Sequence, residues 1–151
     1  MNIAFVIDNL ANSQIAYEVI QFVNSCTKKK NNINPMIFFQ NNAPPVINPA
    51  CMSMNISGLS GFRGIAVAVG LESLDIVEKN NSSTKNWLFV WDLQWLHSTV
   101  DYCRCLEALK HFNIVCRSES HKKVVKNFTG RNDIFVAYDA DGLYECLMQT
   151  K

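Results

Sequence analysis

The sequence has no excess of charge to work with: fourteen Lys and Arg against thirteen Asp and Glu in 151 residues give a formal net charge of +1. A chain that grips nucleic acid through its phosphates needs a basic field on one face, so nucleic acid is not expected as a partner. None of the six cysteines (Cys26, Cys51, Cys103, Cys105, Cys116, Cys146) forms a C-x-x-C pair. Cys103 and Cys105 are two apart and fall on different faces of a helix, which makes them poor ligands for one tetrahedral ion. The cysteines are therefore read as small core residues of a reduced, cytoplasmic protein, with no metal site. No apolar run approaches the roughly 20 residues of a membrane-spanning helix, and residues 1–8 lack the basic start and apolar core of a secretory signal. Glycine is absent after the first apolar run, where Asn9-Leu10-Ala11-Asn12 stands in place of a dinucleotide fingerprint. No Walker A pattern occurs either, and no cofactor is expected.

What is present is a core and a rhythm. Apolar residues make up 48% of the chain and charged ones 18%, enough to bury one ordinary domain spanning residues 1–151. Residues 3–7 are continuously apolar and end in Asp8-Asn9, the pattern of a strand buried on both faces. Asn12 or Ser13 caps a helix whose Ile15, Ala16, Val19, Ile20 and Val23 share a face, and Lys28-Lys29-Lys30 suit the negative end of its dipole. Further strands are expected at residues 36–39, 51–54 (near an edge), 65–69, 87–91, 113–116 and 133–138. Between them come the Pro-rich loop 41–49, a loop punctuated by Gly58, Gly61 and Gly64, and a helix opened by Gly70. A helix over 97–110 turns Val100, Cys103, Leu106 and Leu109 inward, and Ser118 caps another bearing Val124, Val125 and Phe128. A terminal helix starts at Asp141, and its Leu143 and Leu147 fit either a covered face or a homo-oligomer contact.

Strand-helix alternation predicts an α/β fold: a single Rossmann-like, doubly wound, mostly parallel sheet of about six or seven strands with helices on both faces. Such sheets bind ligands beyond the carboxyl ends of their strands, near the switch in strand order. That rule selects Asp8, Asn9, Gly70, Trp91, Asp92, Trp95, Arg117 and Ser118 as ligand-binding candidates. Trp91 and Trp95 flank Asp92 at a strand mouth, a combination suited to stacking on a sugar or base, although indoles also serve as core. Asp92 needs a partner, and Arg117 is the candidate. Asp92 and His121 are the candidate general bases, while His97 and His111 offer weaker ones. Asp139-Ala140-Asp141 reads as a turn and cap more than as a divalent-ion pair. A receiver domain is excluded, because Asp8 stands without a second acid and the third strand ends in Met54-Asn55.

Three segments resemble the N-terminal half of two-domain, nucleotide-sugar-dependent glycosyltransferases of the GT-B type. They are Asn2-Ile3-Ala4-Phe5-Val6-Ile7-Asp8-Asn9, Phe89-Val90-Trp91-Asp92 and Asn113-Ile114-Val115-Cys116-Arg117-Ser118-Glu119-Ser120-His121. The chain is also similar to small glycosyltransferase-like proteins of contractile-tailed phages that infect marine cyanobacteria, which implies the host cytoplasm. In the GT-B family the N-terminal half binds the acceptor, and the C-terminal half carries the diphosphate site, to which nothing here corresponds. The resemblance therefore implies a chain inactive alone. It would be a non-catalytic binding or adaptor protein acting through a protein partner, such as a host protein. The alternative is the acceptor-binding subunit of a split glycosyltransferase, active with a second Rossmann domain.

Overall fold

The structure, a computed structural model, describes residues 1–11, 13–28, 33–80, 85–96 and 99–149. Seven strands form one sheet: β1 (Asn2–Asn9), β2 (Asn34–Asn41), β3 (Met52–Asn55), β4 (Ile65–Val69), β5 (Lys85–Val90), β6 (Asn113–Cys116) and β7 (Ile134–Val136). Their spatial order is β3-β2-β1-β4-β5-β6-β7 and every pairing is parallel. Among the described residues the α-helices are α1 (Gln14–Lys28), α2 (Leu74–Lys79), α3 (Thr99–His111), α4 (Glu119–Thr129) and α5 (Ala140–Gln149). The strand order reverses between β1 and β4, so the crevice of a doubly wound sheet lies at their carboxyl ends.

Strand alternation divides the core in two. Ala4 and Val6, with Ala66, Ala68, Leu88 and Val90, pack under α2, α3 and α4. Ile3, Phe5 and Ile7, with Val67, Trp87 and Phe89, pack under α1 and α5. The helices thus cover both faces, as the alternation predicts. The expected helix face at Leu143 and Leu147 is covered: both leucines are buried in the second cluster, so they offer no self-association surface.

Local departures from expectation have identifiable causes. Among the described side chains of α3, Cys105, Ala108 and Leu109 are buried, as is Phe112 just beyond its end, while Cys103 is exposed and Leu106 half-buried; the Val100 side chain lies outside the described residues. A strict three-residue repeat through Cys103 drifts around a 3.6-residue helix, whereas the 105-108-109-112 spacing stays on one stripe. Residues 56–61, read as loop, form a 3-10 helix (Ile56–Gly61), because Asn55 Oδ1 accepts from Ser57 N at 3.0 Å and starts the turn. After Gly70, which has φ +96°, the chain makes a 3-10 turn (Leu71–Ser73) before α2. Strand β5 stops at Val90, since Trp91 N turns back to donate to Phe89 O at 3.1 Å. Strand β7 is three residues long, and α5 begins one residue earlier than read. Asn12, Lys29, Lys30 and His97 lie outside the described residues. Ser13 is the residue that caps α1, its Oγ accepting from Ala16 N at 3.2 Å.

Two tethers hold segments that lack a helix of their own. The Pro-rich connection from β2 to β3 is held against α1 by Asn24, whose carboxamide donates to Asn48 O (3.1 Å) and accepts from Ala50 N (2.6 Å). Val46 N also donates to Leu10 O at 3.0 Å. Arg131 closes the other flank: its Nη1 donates to Leu109 O (2.6 Å) and Phe112 O (2.8 Å) at the end of α3. Its Nε and Nη2 reach the two carboxylate oxygens of Asp133 at 2.9 and 2.5 Å. The bidentate contact raises the Arg131 pKa and lowers that of Asp133.

Arg131→Ala strips charged donors from two carbonyls at the end of α3. It is expected to lower unfolding free energy by about 2 kcal/mol in urea melts, with Asp133→Asn costing less. Only Cys103 of the six thiols is exposed, and burial pushes Cys51 up to about 11 and Cys116 up to about 12. A disulfide thiol reagent at about pH 8 is therefore expected to titrate one cysteine rapidly and the others only on unfolding.

Candidate functional site

The carboxyl ends of β4 and β5 open onto a cavity of about 250 Å³. Its floor is the apolar end of β5, Leu88 to Val90, and its walls include Trp91, Asp92, Gln94 and Trp95. Gly70 and Leu71 close one side, and Ser13, Gln14 and Ile15 bring the start of α1 to the other. The placement follows from topology, since α1 leaves β1 at the point where the strand order reverses. The positive φ of Gly70 matters here: a Cβ built on it would stand 3.1 Å from Glu72 Oε2 in a conformation that side chains rarely adopt. Gln94 Oε1 accepts from Leu71 N at 3.2 Å and fixes one wall to the other.

A second cavity of about 130 Å³ lies between α1 and α5, lined by Glu18, Phe22, Arg117, Tyr138 and Asp139 among others. Phe89 and Trp91 line both cavities, so the Trp91 indole is the partition. It is braced from two directions. The Phe89 ring meets it edge-on at 5.8 Å, and the Arg117 guanidinium carbon lies 5.0 Å from its centroid. Arg117 itself is held at the end of the sheet, where its backbone N donates to Val90 O at 3.2 Å. Its Nη2 lies 3.8 Å from Asp92 Oδ1, with side chains 34% and 66% exposed. The sequence-expected Asp92–Arg117 pairing is thus found, but as a loose ion pair in solvent worth little to stability. The cation-π contact adds roughly 0.5–1 kcal/mol at such a site.

The remaining candidates are divided between site and scaffold. Gly70, Trp91, Asp92 and Trp95 line the first cavity and Arg117 the second. Asp8 and Asn9 line neither. Asp8 accepts from the side chains of Asn41 (2.6 Å) and Asn9, and Asn9 Oδ1 accepts from Ala11 N (2.9 Å). Ser118 caps α4, accepting from His121 N at 3.2 Å, and its Oγ lies 2.6 Å from His121 Nδ1 and 2.8 Å from Ser120 Oγ. That cap closes the first turn of α4 on itself. The His121 pKa is lowered, first by desolvation and then by the Arg117 charge, against the opposing pull of Asp92. Asp139 accepts from Gly142 N at 2.8 Å as the cap of α5, the role read from its position. His111 is exposed in the last turn of α3, at the opposite end of the molecule from the crevice.

Ser13, Gln14, Ile15 and Gln94 are cavity residues that the sequence does not mark as site candidates, as are Glu18 and Tyr138. For the first three the signal was present, because the switch-point rule implicates the start of the helix after β1 as much as the strand end. Gln94 carried none.

No protein-family model and no curated protein matches the chain. One solved structure is similar, a crystal structure of an AraC family transcriptional regulator from Pseudomonas putida, with TM-score 0.50 and 9% identity over 97% of this chain and 88% of that one. At that identity the likeness is one of fold. Among the described residues no helix is long and apolar enough to cross a membrane.

His121 yields a sign-definite pH dependence. With its folded pKa below the unfolded value near 6.5, the unfolded chain binds more protons, so stability falls as pH drops through about 6.5 toward the folded value. Urea midpoints of the wild type are expected to decline between about pH 7.5 and pH 5.5, a window above carboxylate titration. The decline should be shallower in His121→Gln; equal slopes would show that His121 is not its source.

Proposed function

We propose that the chain is a non-catalytic binding domain, an adaptor that docks a protein partner on the carboxyl-end face of its sheet. One observation carries the reading: the distribution of exposed apolar side chains. Tyr17 and Tyr102 sit in the opening turns of α1 and α3, which leave from that face. Leu96 follows β5, Tyr138 follows β7, and Val46 is in the loop tied to Leu10. Leu96 is 59% and Tyr138 73% exposed. The other exposed large apolar residues among those described are methionines: Met1 and Met52 at strand starts and Met148 at the end of α5. Tyr138 shares the second cavity with Trp91 and Arg117, and aromatic and arginine anchors of this kind are the residues that carry most of the binding energy at interface hot spots.

The adaptor reading is of a cytoplasmic protein on a domain like the acceptor half of a GT-B enzyme, and the three resembling segments support it. A second reading, the acceptor-binding subunit of a split glycosyltransferase, is favoured by the closeness of Asp92 to Arg117 and by the charge of both on His121. There Asp92 or His121 would be the base. Loss of transfer in a reconstituted pair on Asp92→Ala or His121→Ala would support that reading, and unchanged transfer would remove those roles.

The adaptor reading is tested by placing a photo-reactive benzoylphenylalanine at Leu96 or Tyr138, and at Met52 or Met148 as controls. One partner is expected to crosslink from the first pair and not the second, Arg117→Ala is expected to weaken its capture about tenfold, and the purified chain is expected to leave nucleotide-sugars intact. Equal crosslinking from the methionine positions, or nucleotide-sugar turnover by the chain alone, would overturn it.

A further inference from the structure

The cavity between α1 and α5 is bordered by unlike charges that do not meet. Arg117, Glu18 and Asp139 all line it, while Phe22, Phe89 and Leu143 give it a buried apolar floor. Glu18 and Asp139 are exposed and form no ion pair among the described residues. Asp139 commits Oδ1 to Gly142 N, which leaves Oδ2 without a protein donor. Three arginines among the described residues are half-buried: Arg104, Arg117 and Arg131. Arg104 closes its fork on Asp75 at 2.9 and 2.6 Å, and Arg131 closes on Asp133 through Nε at 2.9 Å and through Nη2. The Arg117 guanidinium reaches only Asp92, at 3.8 Å, which is beyond hydrogen-bond range. It therefore makes no hydrogen bond among the described residues, although the Trp91 ring supports one of its faces at 5.0 Å.

We infer that this cavity binds a small free α-amino acid with an aliphatic side chain, its carboxylate on the Arg117 fork and its ammonium at Glu18 and Asp139. The inference rests on the carboxyl-end face being the working face and names a small molecule that this face takes up. A guanidinium without hydrogen bonds suits a planar acceptor, to which it donates two parallel bonds. Two carboxylates on the same rim suit a cationic donor. An anion alone would be repelled by Glu18 and Asp139, and a cation alone by Arg117. A zwitterion answers both sides at once. The charged groups are at least partly in solvent, so the ligand's charged ends stay hydrated and lose little on entry. Its side chain is left to cover Phe22, Phe89 and Leu143. At about 30 Å³ per water, a cavity of about 130 Å³ replaces about four waters, room for a short aliphatic chain and not for a fused ring.

The test is calorimetric titration of the full chain with L-leucine, isoamylamine (leucine without its carboxylate) and isocaproate (leucine without its ammonium). Leucine is expected to bind about tenfold or more tightly than either analogue. Two variants separate the two ends of the ligand. Arg117→Gln should weaken leucine and isocaproate about tenfold and leave isoamylamine unchanged or tighter. Glu18→Gln should weaken leucine and isoamylamine about fivefold and spare isocaproate. Glu18 is exposed and joins no hydrogen bond among the described residues, so Glu18→Gln should keep the wild-type melting temperature and carries the test if Arg117→Gln does not fold. Either analogue binding as tightly as leucine, no leucine binding at about 10 mM, or a leucine affinity indifferent to Glu18→Gln would each overturn the inference. Such a failure leaves crosslinking from Leu96 and Tyr138 untouched, so the adaptor reading stands or falls separately.

Discussion

The central strands are apolar on both sides, and that constraint organises the rest. Residues 65–69 of β4 are buried without exception, and so are residues 3–7 of β1. A parallel ladder satisfies its own backbone, but it leaves no lateral position at which a polar side chain can meet water. Polar chemistry is displaced to the strand ends. At the amino ends, helices arrive with their carbonyls, and Arg131 is stationed there to answer two of them. At the carboxyl ends, helices depart with amides capped by Ser13, Ser118 and Asp139, and the cavities open there. The division of the molecule into a clamped end and a receptive end follows from the burial of its middle.

The same logic explains what could be read from the sequence. Continuous apolar runs closed by Asp8-Asn9 or Asp92 reveal buried strands because few other structures tolerate five apolar residues in a row. Ser118 reveals a helix start because its hydroxyl has a defined job there. All seven strands were expected, β3 only as a weak strand near an edge, and the parallel, doubly wound class follows from their alternation with helices. The buried face of α3 did not, since Cys103 and Cys105 are the same residue type and only the place of Cys105 in the first core cluster distinguishes them. The candidate site was half legible. Trp91, Asp92, Trp95, Gly70 and Arg117 sit at strand ends and are found at the cavities. Asp8 and Asn9 sit at a strand end too, but their short polar side chains are used by neighbouring asparagines and a turn. Position alone could not foretell that competition. The role of Arg131 was invisible for a similar reason, because the groups through which it holds the end of α3 are carbonyls, which every residue has.

Trp91 is the point where scaffold and site meet. It lies one residue beyond β5, so its backbone leaves the ladder while its ring remains between Phe89 and Arg117. The ring therefore borders two spaces while packing, half-buried, against the second core cluster. Its bracing is by one aromatic edge and one solvent-accessible cation, contacts far weaker than the burial that fixes Trp87 two turns of the pleat below.

The Asn24 tether has a consequence for how the sheet comes apart. Edge strand β3 is joined to the molecule by a four-residue ladder on one side and, through the proline segment, by the Asn24 carboxamide on α1 and the Val46–Leu10 backbone bond. No helix lies in the connection that leads into it from β2. Partial opening would begin at that margin, and the next backbone revealed would be Met36 to Phe39 of β2, an apolar row with its amides and carbonyls bare. The strand that contributes least to the core is thus the molecule's guard against sticking to its own copies.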